Sequence, residues 1–162
     1  MSLGAKMPLA RARTVAEHVV QELAPYCEQI EIAGSIRRKQ PQIGDVELVA
    51  RPRMKMVPDG LFDRREVSEL AAYLDNVFGG VVSSFVEKHP ELPKNGERYK
   101  KLRHRESGMQ VDLFIVMPPA EWGPIFAIRT GPADYSRRAV TELQKHGLRC
   151  SEGAIFRGHE RL

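Results

Sequence analysis

The sequence predicts a mixed α/β (α+β) fold: a sandwich with a mixed sheet, helices on one face of that sheet, and a small C-terminal subdomain from about residue 119. Three observations favour this fold class. Segments with helical and strand periodicity alternate along the chain. Two adjacent prolines at 118 and 119 interrupt the sheet pattern before the last segment. At 162 residues, of which 42% are hydrophobic and 28% charged, the chain suits one core with a small appendage.

Three helices are predicted from apolar periodicity and end signals. The first covers residues 8–25, where apolar side chains recur as one stripe between two prolines. The second covers residues from about 62 to 78 and stops at a pair of glycines. The third begins near Pro132 and ends at Gly147.

The strands are predicted from short apolar or alternating segments between turn residues. Five of them are expected to build the sheet: residues 29–33, 45–50, 81–87, 98–106 and 109–116. A loop rich in Pro and Met follows the second strand, and a loop of turn residues, 88–96, joins the third strand to the fourth. Two short segments predict a small terminal hairpin: residues 148–151 and 154–156.

The composition excludes several classes of protein. No apolar run approaches the roughly 20 residues that span a bilayer, and the sequence has no signal-peptide hydrophobic region, so we expect no membrane association and a cytoplasmic, intracellular location. Cys27 and Cys150 lack metal-ligand spacing and are expected to be reduced structural thiols. A net charge of +4 and a pI near 9.2 are compatible with a polyanionic partner.

Two of the predicted strands carry carboxylates among apolar residues. Because side chains alternate along a strand, Asp45 and Glu47 point one way while Val46 and its apolar companions point the other. Asp112 likewise points away from its apolar neighbours. If the two strands are adjacent, three carboxylates meet on one face and need a compensating cation. Mg²⁺ prefers such oxygen ligands, and a pair of ions supports phosphoryl transfer. For each acid alone, simple exposure is the alternative.

A second group of residues lies between the first two strands. Gly34 and Ser35 end the first strand, where a bare amide and a hydroxyl can donate to a phosphate. Arg38, the second of an adjacent arginine pair, can offer a planar fork to a triphosphate. Gly44 directly precedes the first acid. Taken singly, each suits a turn or a solvated surface, and only their register with the acids favours a nucleotide site.

The order Gly-Ser, Arg-Arg and Gly-Asp-x-acid, with the first carboxylate ten residues after the serine, resembles the palm of the family X DNA polymerases, the group of DNA polymerase beta. The resemblance extends from about residue 7 to the end of the chain. It includes "VDLF" and "RTGPADYSRRAVTELQKHGL", which looks like the family's Thr-Gly turn and first thumb helix. It implies a nucleotidyltransferase palm over residues 1–118 and a thumb-like subdomain over residues 119–162.

The resemblance also implies a function: addition of a nucleotide from a nucleoside triphosphate to the 3′-hydroxyl of a DNA primer on its template, with release of pyrophosphate, as in DNA repair. Asp45, Glu47 and Asp112 would be the catalytic acids that bind two Mg²⁺ ions, with Mn²⁺ as a possible substitute. Ser35 and Arg38 would hold the β and γ phosphates, and the Thr-Gly turn would line the sugar. The implied nucleotide-binding residues are Gly34, Ser35, Arg38, Gly44, Arg129, Thr130 and Gly131.

Several positions depart from the family pattern. Glu47 stands where the family has aspartate, and Arg129 stands where an aromatic residue helps to exclude ribose. Gln110 and Val140 stand where arginines are common. The family's thumb continues beyond the equivalent of Leu162, which allows for a protein partner that completes it. Two alternatives therefore stay open: transfer to a non-DNA acceptor such as RNA, a small molecule or a protein, and a nucleotide- or DNA-binding module without turnover.

A basic segment, "RYKKLRHRE" at 98–106, adjoins the strand of the third acid. We expect about half of its cations to be solvated and the others to contact phosphates of primer or template. His104 and His146 are expected at the surface. Trp122 is expected to pack the C-terminal subdomain onto the palm.

Overall fold

The structure, a computed structural model, describes residues 5–90 and 96–162. These residues form a mixed α+β fold with five α-helices and several sheets, one of them five-stranded and mixed. The helices are α1 (Leu9–Leu23), α2 (Gly34–Arg37), α3 (Glu69–Phe78), α4 (Trp122–Thr130) and α5 (Ala133–Lys145). The strands are β1 (Met7–Pro8), β2 (Cys27–Ile32), β3 (Gln42–Ile43), β4 (Val46–Pro52), β5 (Met54–Asp59), β6 (Asp63–Ser68), β7 (Val86–Lys88), β8 (Tyr99–His104), β9 (Gln110–Ile115), β10 (Leu148–Ser151), β11 (Ala154–Arg157) and β12 (Glu160–Arg161). Most of the predicted loop 88–96 lies outside the described residues.

The five-stranded sheet has the order β2-β4-β9-β8-β7. β4 and β9 are parallel neighbours near its centre, and the other pairs are antiparallel. The two strands that bear the acids are therefore neighbours, which is the condition for the three acids to meet on one face. Parallel neighbours need a long connection, and here it includes β5, β6, α3, β7 and β8.

The principal core lies between one face of this sheet and the helices α1 and α3. Val46, Leu48 and Ala50 of β4 are fully buried in it, as the alternation along the strand predicts. The predicted stripe of α1 is also buried, from Ala12 to Leu23. The helix prediction for residues 8–25 is confirmed, with a short 3₁₀ turn after α1.

A smaller cluster lies on the opposite face, near the ends of β4 and β9. Val49 and Val116 are buried there against Trp122 and Phe126 of α4. The prediction that Trp122 packs the C-terminal segment onto the sheet is confirmed. The prediction of helices on one face holds for α1 and α3 only, because α4, which periodicity did not indicate, packs on the other face.

The region between β4 and α3 differs from the prediction. The predicted Pro- and Met-rich loop and the first turns of the predicted helix form an antiparallel hairpin, β5–β6. Its turn exposes Leu61 and Phe62, which are 87% and 91% accessible. The helix begins only at Glu69, because the Ser68 hydroxyl accepts a hydrogen bond from the amide of Ala71 at 3.1 Å and so caps the first turn.

The C-terminal segment contains α4, α5 and a three-stranded sheet. α5 confirms the helix predicted from Pro132, and β10 and β11 confirm the terminal hairpin, to which β12 adds a third strand. Cys27 and Cys150 are free, as predicted. Within the described residues, none of the helices is both long and apolar enough to cross a lipid bilayer.

Candidate active site

The three acids predicted from the sequence lie on one face of the sheet. The parallel pairing of β4 and β9 places Glu47 directly opposite Asp112. Asp45 precedes Glu47 by two residues, so the strand period directs it to the same side. Asp45 and Glu47 are half-buried, and Asp112 is only 8% exposed. The site is therefore built at the beginnings of two adjacent parallel strands.

Burial and the charges of neighbouring acids oppose the ionisation of Asp45 and Glu47. Burial raises the pKa of Asp45, and the charge of Asp112 raises it further. The pKa of Glu47 rises to about 7, first because of burial and then because of the charges of Asp45 and Asp112. Arg38 lowers both pKa values, and Arg129 also lowers that of Glu47. Because both pKa values stay raised, the two arginines offset only part of the negative charge.

Gly34 allows the backbone to approach the acids closely. Its φ is +61°, in the left-handed region that favours glycine. A Cβ atom at this position would lie 1.7 Å from Oε2 of Glu47. A larger residue would therefore displace the Glu47 carboxylate, which makes the glycine of the predicted Gly-Ser turn a steric requirement of the site.

Two of the predicted nucleotide-binding residues carry buried hydroxyls without a hydrogen-bond partner in the described part of the chain. They are Oγ of Ser35, in α2, and Oγ1 of Thr130, at the end of α4. An unpaired buried hydroxyl destabilises a protein, so most native structures supply a partner from protein, water or ligand. Both hydroxyls have unused capacity to bind a polar ligand.

Arg38 joins the two segments that carry these hydroxyls. Its Nη1 atom donates to the carbonyl oxygen of Thr130 at 2.7 Å. The neighbouring Arg37 is exposed and places its guanidinium 4.6 Å from the centre of the Phe126 ring. The two adjacent arginines therefore diverge, and Arg38 is the one whose charge reaches Asp45 and Glu47.

The other predicted nucleotide residues have unequal surroundings. Gly44 is exposed, and a Cβ atom there would meet nothing within 4 Å, so no described contact requires glycine. At Gly131 a Cβ atom would lie 2.1 Å from the Tyr135 ring, so this glycine admits the ring against the backbone. Arg129 places its guanidinium 4.0 Å from the centre of the Phe114 ring of β9.

One cavity adjoins the site, and another lies away from it. The first, of about 360 Å³, is lined by both arginines of the pair, by the Thr-Gly turn and by Tyr135. A larger one, of about 920 Å³, lies at the far ends of β4 and β9 and includes Arg51 and Trp122. Of these two cavities, the smaller is therefore the one that predicted nucleotide-binding residues line.

The donor set suits a hard divalent cation in chemistry and charge. Three carboxylates on one face, with raised pKa values at two of them, carry negative charge that a cation would neutralise. As placed, however, the side chains of residues 5–90 and 96–162 include no group of three or more His, Cys, Asp or Glu arranged to hold a metal ion. The backbone register brings the three acids to one face of the sheet. In the described part of the chain their carboxylate oxygens do not converge on one point as metal ligands do.

Two residues beside Asp112 were not predicted to contact it. The hydroxyl of Tyr99 donates to Oδ1 of Asp112 at 2.5 Å, and Nε2 of Gln110 lies 3.1 and 3.0 Å from its two carboxylate oxygens. Gln110 drew attention in the sequence only as a departure from a family pattern. The contact of Tyr99 depends on the register of β8 against β9, which the sequence leaves open across residues 105–109 between the two strands.

The basic segment is divided between the two faces of the sheet. In β8, Lys100 and His104 are buried on the helix side, and burial lowers the pKa of each. The prediction that His104 lies at the surface is wrong: it is 2% exposed, and its Nε2 atom lies 3.4 Å from Nδ1 of His18. Lys101 lies opposite Asp112 on the neighbouring strand, and Nε of Arg103 contacts Glu87 at 2.6 Å.

No protein-family model matches the chain, and no curated protein matches it. The resemblance to the family X polymerases therefore depends on the residues named above, and what it implies about activity stays a prediction.

Proposed function

We propose that this protein is a metal-dependent nucleotidyltransferase of the family X type, which transfers a nucleotide from a nucleoside triphosphate to a DNA 3′-hydroxyl and releases pyrophosphate. In this proposal residues 1–118 act as the palm and residues 119–162 as a thumb-like subdomain. A primer-template is the expected acceptor, and the reaction is expected to take place inside the cell.

One observation carries the proposal: the parallel register that sets Glu47 opposite Asp112, with Asp45 on the same side. Burial, and then the charges of the neighbouring acids, raise the pKa of Asp45 and Glu47, so the arrangement is costly unless a cation compensates it. A protein that needed the acids only for solubility would gain nothing from half-burying them beside one another. The steric demand for glycine at Gly34, against Glu47, supports the same interpretation.

The described contacts support a division of roles. Arg38 is fixed against Thr130 and is close enough to the acids to lower their pKa values, so it can meet a triphosphate beside them. The unpaired hydroxyls of Ser35 and Thr130 can donate to phosphate or sugar oxygens. In the proposed reaction, the 3′-hydroxyl lies nearest to Asp112, its oxygen attacks the α-phosphorus, and the bond from that phosphorus to the leaving pyrophosphate breaks on the opposite side.

Asp45, Glu47 and Asp112 would hold the divalent ions, either Mg²⁺ or Mn²⁺. When bound, these ions would neutralise charge on the phosphates and activate the attacking oxygen. The chain's own contribution is to converge the acids, to hold the triphosphate with Arg38, and to position Asp112 through its neighbours in β8 and β9.

The second candidate function is nucleotidyl transfer to an acceptor other than DNA. The alternating burial of side chains along β8 favours this alternative. Lys100 and His104 are turned into the core, which leaves fewer basic side chains of this segment at the surface to contact a nucleic-acid backbone. An acceptor with fewer phosphates would not need them.

The decisive experiment is extension of a labelled primer, with and without a template strand, using dNTPs and then NTPs in Mg²⁺ and in Mn²⁺. Extension that depends on the divalent ion and is lost in Asp45→Ala supports the proposal. If nucleotide binds but neither DNA nor RNA primers are extended, the turnover-deficient binding module is the better interpretation. Release of pyrophosphate without primer extension would instead indicate a small-molecule or protein acceptor.

A further inference from the structure

The carboxylate of Asp112 is held by two side chains in the described part of the chain. Tyr99 donates to Oδ1 at 2.5 Å, and Gln110 approaches Oδ1 and Oδ2 at 3.1 and 3.0 Å. An ionised carboxylate has about four acceptor sites. These contacts occupy both sites of Oδ1 and one of Oδ2, which leaves a site on Oδ2 for a further ligand.

The sheet brings Tyr99 to this carboxylate. Tyr99 pairs with Phe114, and Asp112 pairs with Lys101, so Tyr99 and Asp112 are diagonal neighbours on one face. A diagonal separation suits a long side chain such as that of tyrosine. Its hydroxyl can extend beyond the level of the intervening pair, Lys100 and Leu113, to reach the acid. A phenylalanine at position 99 would fill the same space without reaching the acid.

The Tyr99 ring is itself fixed by stacking. Its centre lies 5.2 Å from that of Phe114, with 23° between the planes. Phe114 in turn has the Arg129 guanidinium 4.0 Å from its centre. Contacts therefore link Arg129, in the last turn of α4, through Phe114 and Tyr99 to Asp112. These contacts place the Tyr99 ring so that its hydroxyl meets Asp112.

Resting on the nucleotidyl transfer proposed above, we infer that Tyr99 is a positioning residue, whose hydroxyl fixes the orientation of the Asp112 carboxylate and keeps Oδ2 directed toward bound metal and the attacking hydroxyl. Without the hydroxyl, Asp112 can turn about its side-chain bonds, and the productive orientation is populated less. Tyr99 itself does not touch substrate, so its loss lowers turnover and metal affinity and spares triphosphate binding at Arg38.

The test compares Tyr99→Phe with Tyr73→Phe. Tyr73 is a matched control, because its hydroxyl also donates to a carboxylate, that of Glu22, at a place remote from the acids. Tyr99→Phe keeps the ring and its stacking. We expect its kcat to fall roughly 10- to 100-fold, the factor for one hydrogen bond to a charged group. The half-saturating Mg²⁺ concentration should rise, while the nucleotide KM stays within about twofold. Tyr73→Phe should leave all three parameters unchanged.

Two readouts without turnover separate this inference from the proposed function. The first is Mn²⁺ affinity measured by electron paramagnetic resonance, which Tyr99→Phe should weaken. The second is a double-mutant cycle in urea unfolding with Asp112→Ala, in which the two changes should be non-additive. Unchanged Mn²⁺ affinity and kcat in Tyr99→Phe would overturn the positioning role, even with a non-additive cycle. Additive unfolding effects would overturn the contact itself. A wild type that binds Mn²⁺ but transfers no nucleotide would refute the proposed function and leave the Mn²⁺ comparison to decide the role of Tyr99.

Discussion

The protein contains two tyrosine–carboxylate pairs of the same chemistry in different surroundings. Tyr99 donates to Asp112 on the face of the acids, and Tyr73 of α3 donates to Glu22 of α1 on the helix side. Burial raises the pKa of both tyrosines, and the hydrogen bond to the carboxylate raises it further. Both rings are stacked, Tyr99 on Phe114 and Tyr73 on Tyr26.

The carboxylates of the two pairs have different neighbours. Glu22 accepts a second hydrogen bond from the amide of Phe85 at 2.6 Å, so it ties α1 to α3 and to the segment before β7. Asp112 instead raises the pKa of two further acids on its own face. The same contact therefore serves packing in one place and holds a carboxylate among like charges in the other. The neighbours of a buried acid, rather than its partner, distinguish a functional site from a structural one.

The largest expected effect tests this distinction with one substitution in each pair. Asp112→Ala should lower nucleotidyl transfer on the order of a thousandfold, because several kcal/mol of transition-state stabilisation depend on the metal ligands. The fold should remain, because relief of repulsion among the acids offsets the loss of the hydrogen bonds from Tyr99 and Gln110. The measurements are kcat/KM for primer extension and the urea midpoint.

Glu22→Ala is the matched variant and should show the opposite pattern. Its loss leaves the Tyr73 hydroxyl and the Phe85 amide without their acceptor, which should cost about 1–3 kcal/mol of unfolding free energy. Turnover per folded molecule should be unchanged. If Asp112→Ala keeps its activity, or if Glu22→Ala loses activity at full stability, the two regions do not differ as argued.

The next largest effect concerns the cation nearest to the acids. Arg38→Ala should raise the nucleotide KM by a factor that corresponds to about 1.5–3 kcal/mol, the loss of a charge-assisted contact. Arg37→Ala is its control: Arg37 stacks on Phe126 and has no described effect on the pKa of the acids, so its change should be small. If the two substitutions raise the nucleotide KM equally, the assignment of the phosphate contact to Arg38 is wrong.

A smaller effect follows from the pKa of Glu47. This pKa rises from 4.5 to about 7 in the folded protein, so the folded state binds the proton more tightly than the unfolded state. The corresponding stability is present below the unfolded value and is lost as the pH rises through about 7. Without divalent ions, the urea midpoint should therefore fall across this range, and the fall should be shallower in Glu47→Gln.

Added Mg²⁺ supplies the control for this pH dependence. If the acids bind the ion, Mg²⁺ should restore the urea midpoint of the wild type at the alkaline end of the range by mass action. The gain should be smaller in Glu47→Gln, which has lost one charge of the site. A pH profile that is identical in the two proteins would mean that Glu47 ionises in the folded state as easily as in the unfolded one.

The parts of the site that lie on regular strands were predictable from the sequence. Alternation along β4 and β9 gave the common side of Asp45, Glu47 and Asp112, because the period of a strand is fixed by its geometry. The stripe of α1 was predictable for the same kind of reason. Both depend on short-range periodicity, which a single sequence records directly.

The parts that depend on long-range pairing were not predictable. The contact of Tyr99 with Asp112 needs the register of β8, and the bond from Arg38 to Thr130 spans 92 residues. The hairpin β5–β6 was read as loop and helix because its exposed strands lack an apolar side that alternation would reveal. The sequence analysis predicts a surface position for His104, whereas the strand period turns its side chain inward with that of Lys100.

The smallest expected effect concerns Arg129 and the sugar of the nucleotide. In the resembled family an aromatic residue stands at this position and crowds the 2′ site, whereas Arg129 extends over Phe114. We therefore expect measurable incorporation of NTPs by the wild type and a few-fold gain in dNTP preference in Arg129→Phe, since one steric contact in a pocket is worth about 1–3 kcal/mol at most. The measurement is the ratio of kcat/KM for dNTP and NTP in each protein.

Arg129→Phe keeps a flat group beside Phe114 and so preserves the support of Tyr99, whereas Arg129→Lys keeps the charge and loses the planar stack. If Arg129→Lys lowers kcat equally for the two sugars while Arg129→Phe does not, Arg129 acts through the Tyr99–Asp112 pair. A strong dNTP preference in the wild type that Arg129→Phe leaves unchanged would assign sugar selection to the backbone of Thr130 and Gly131.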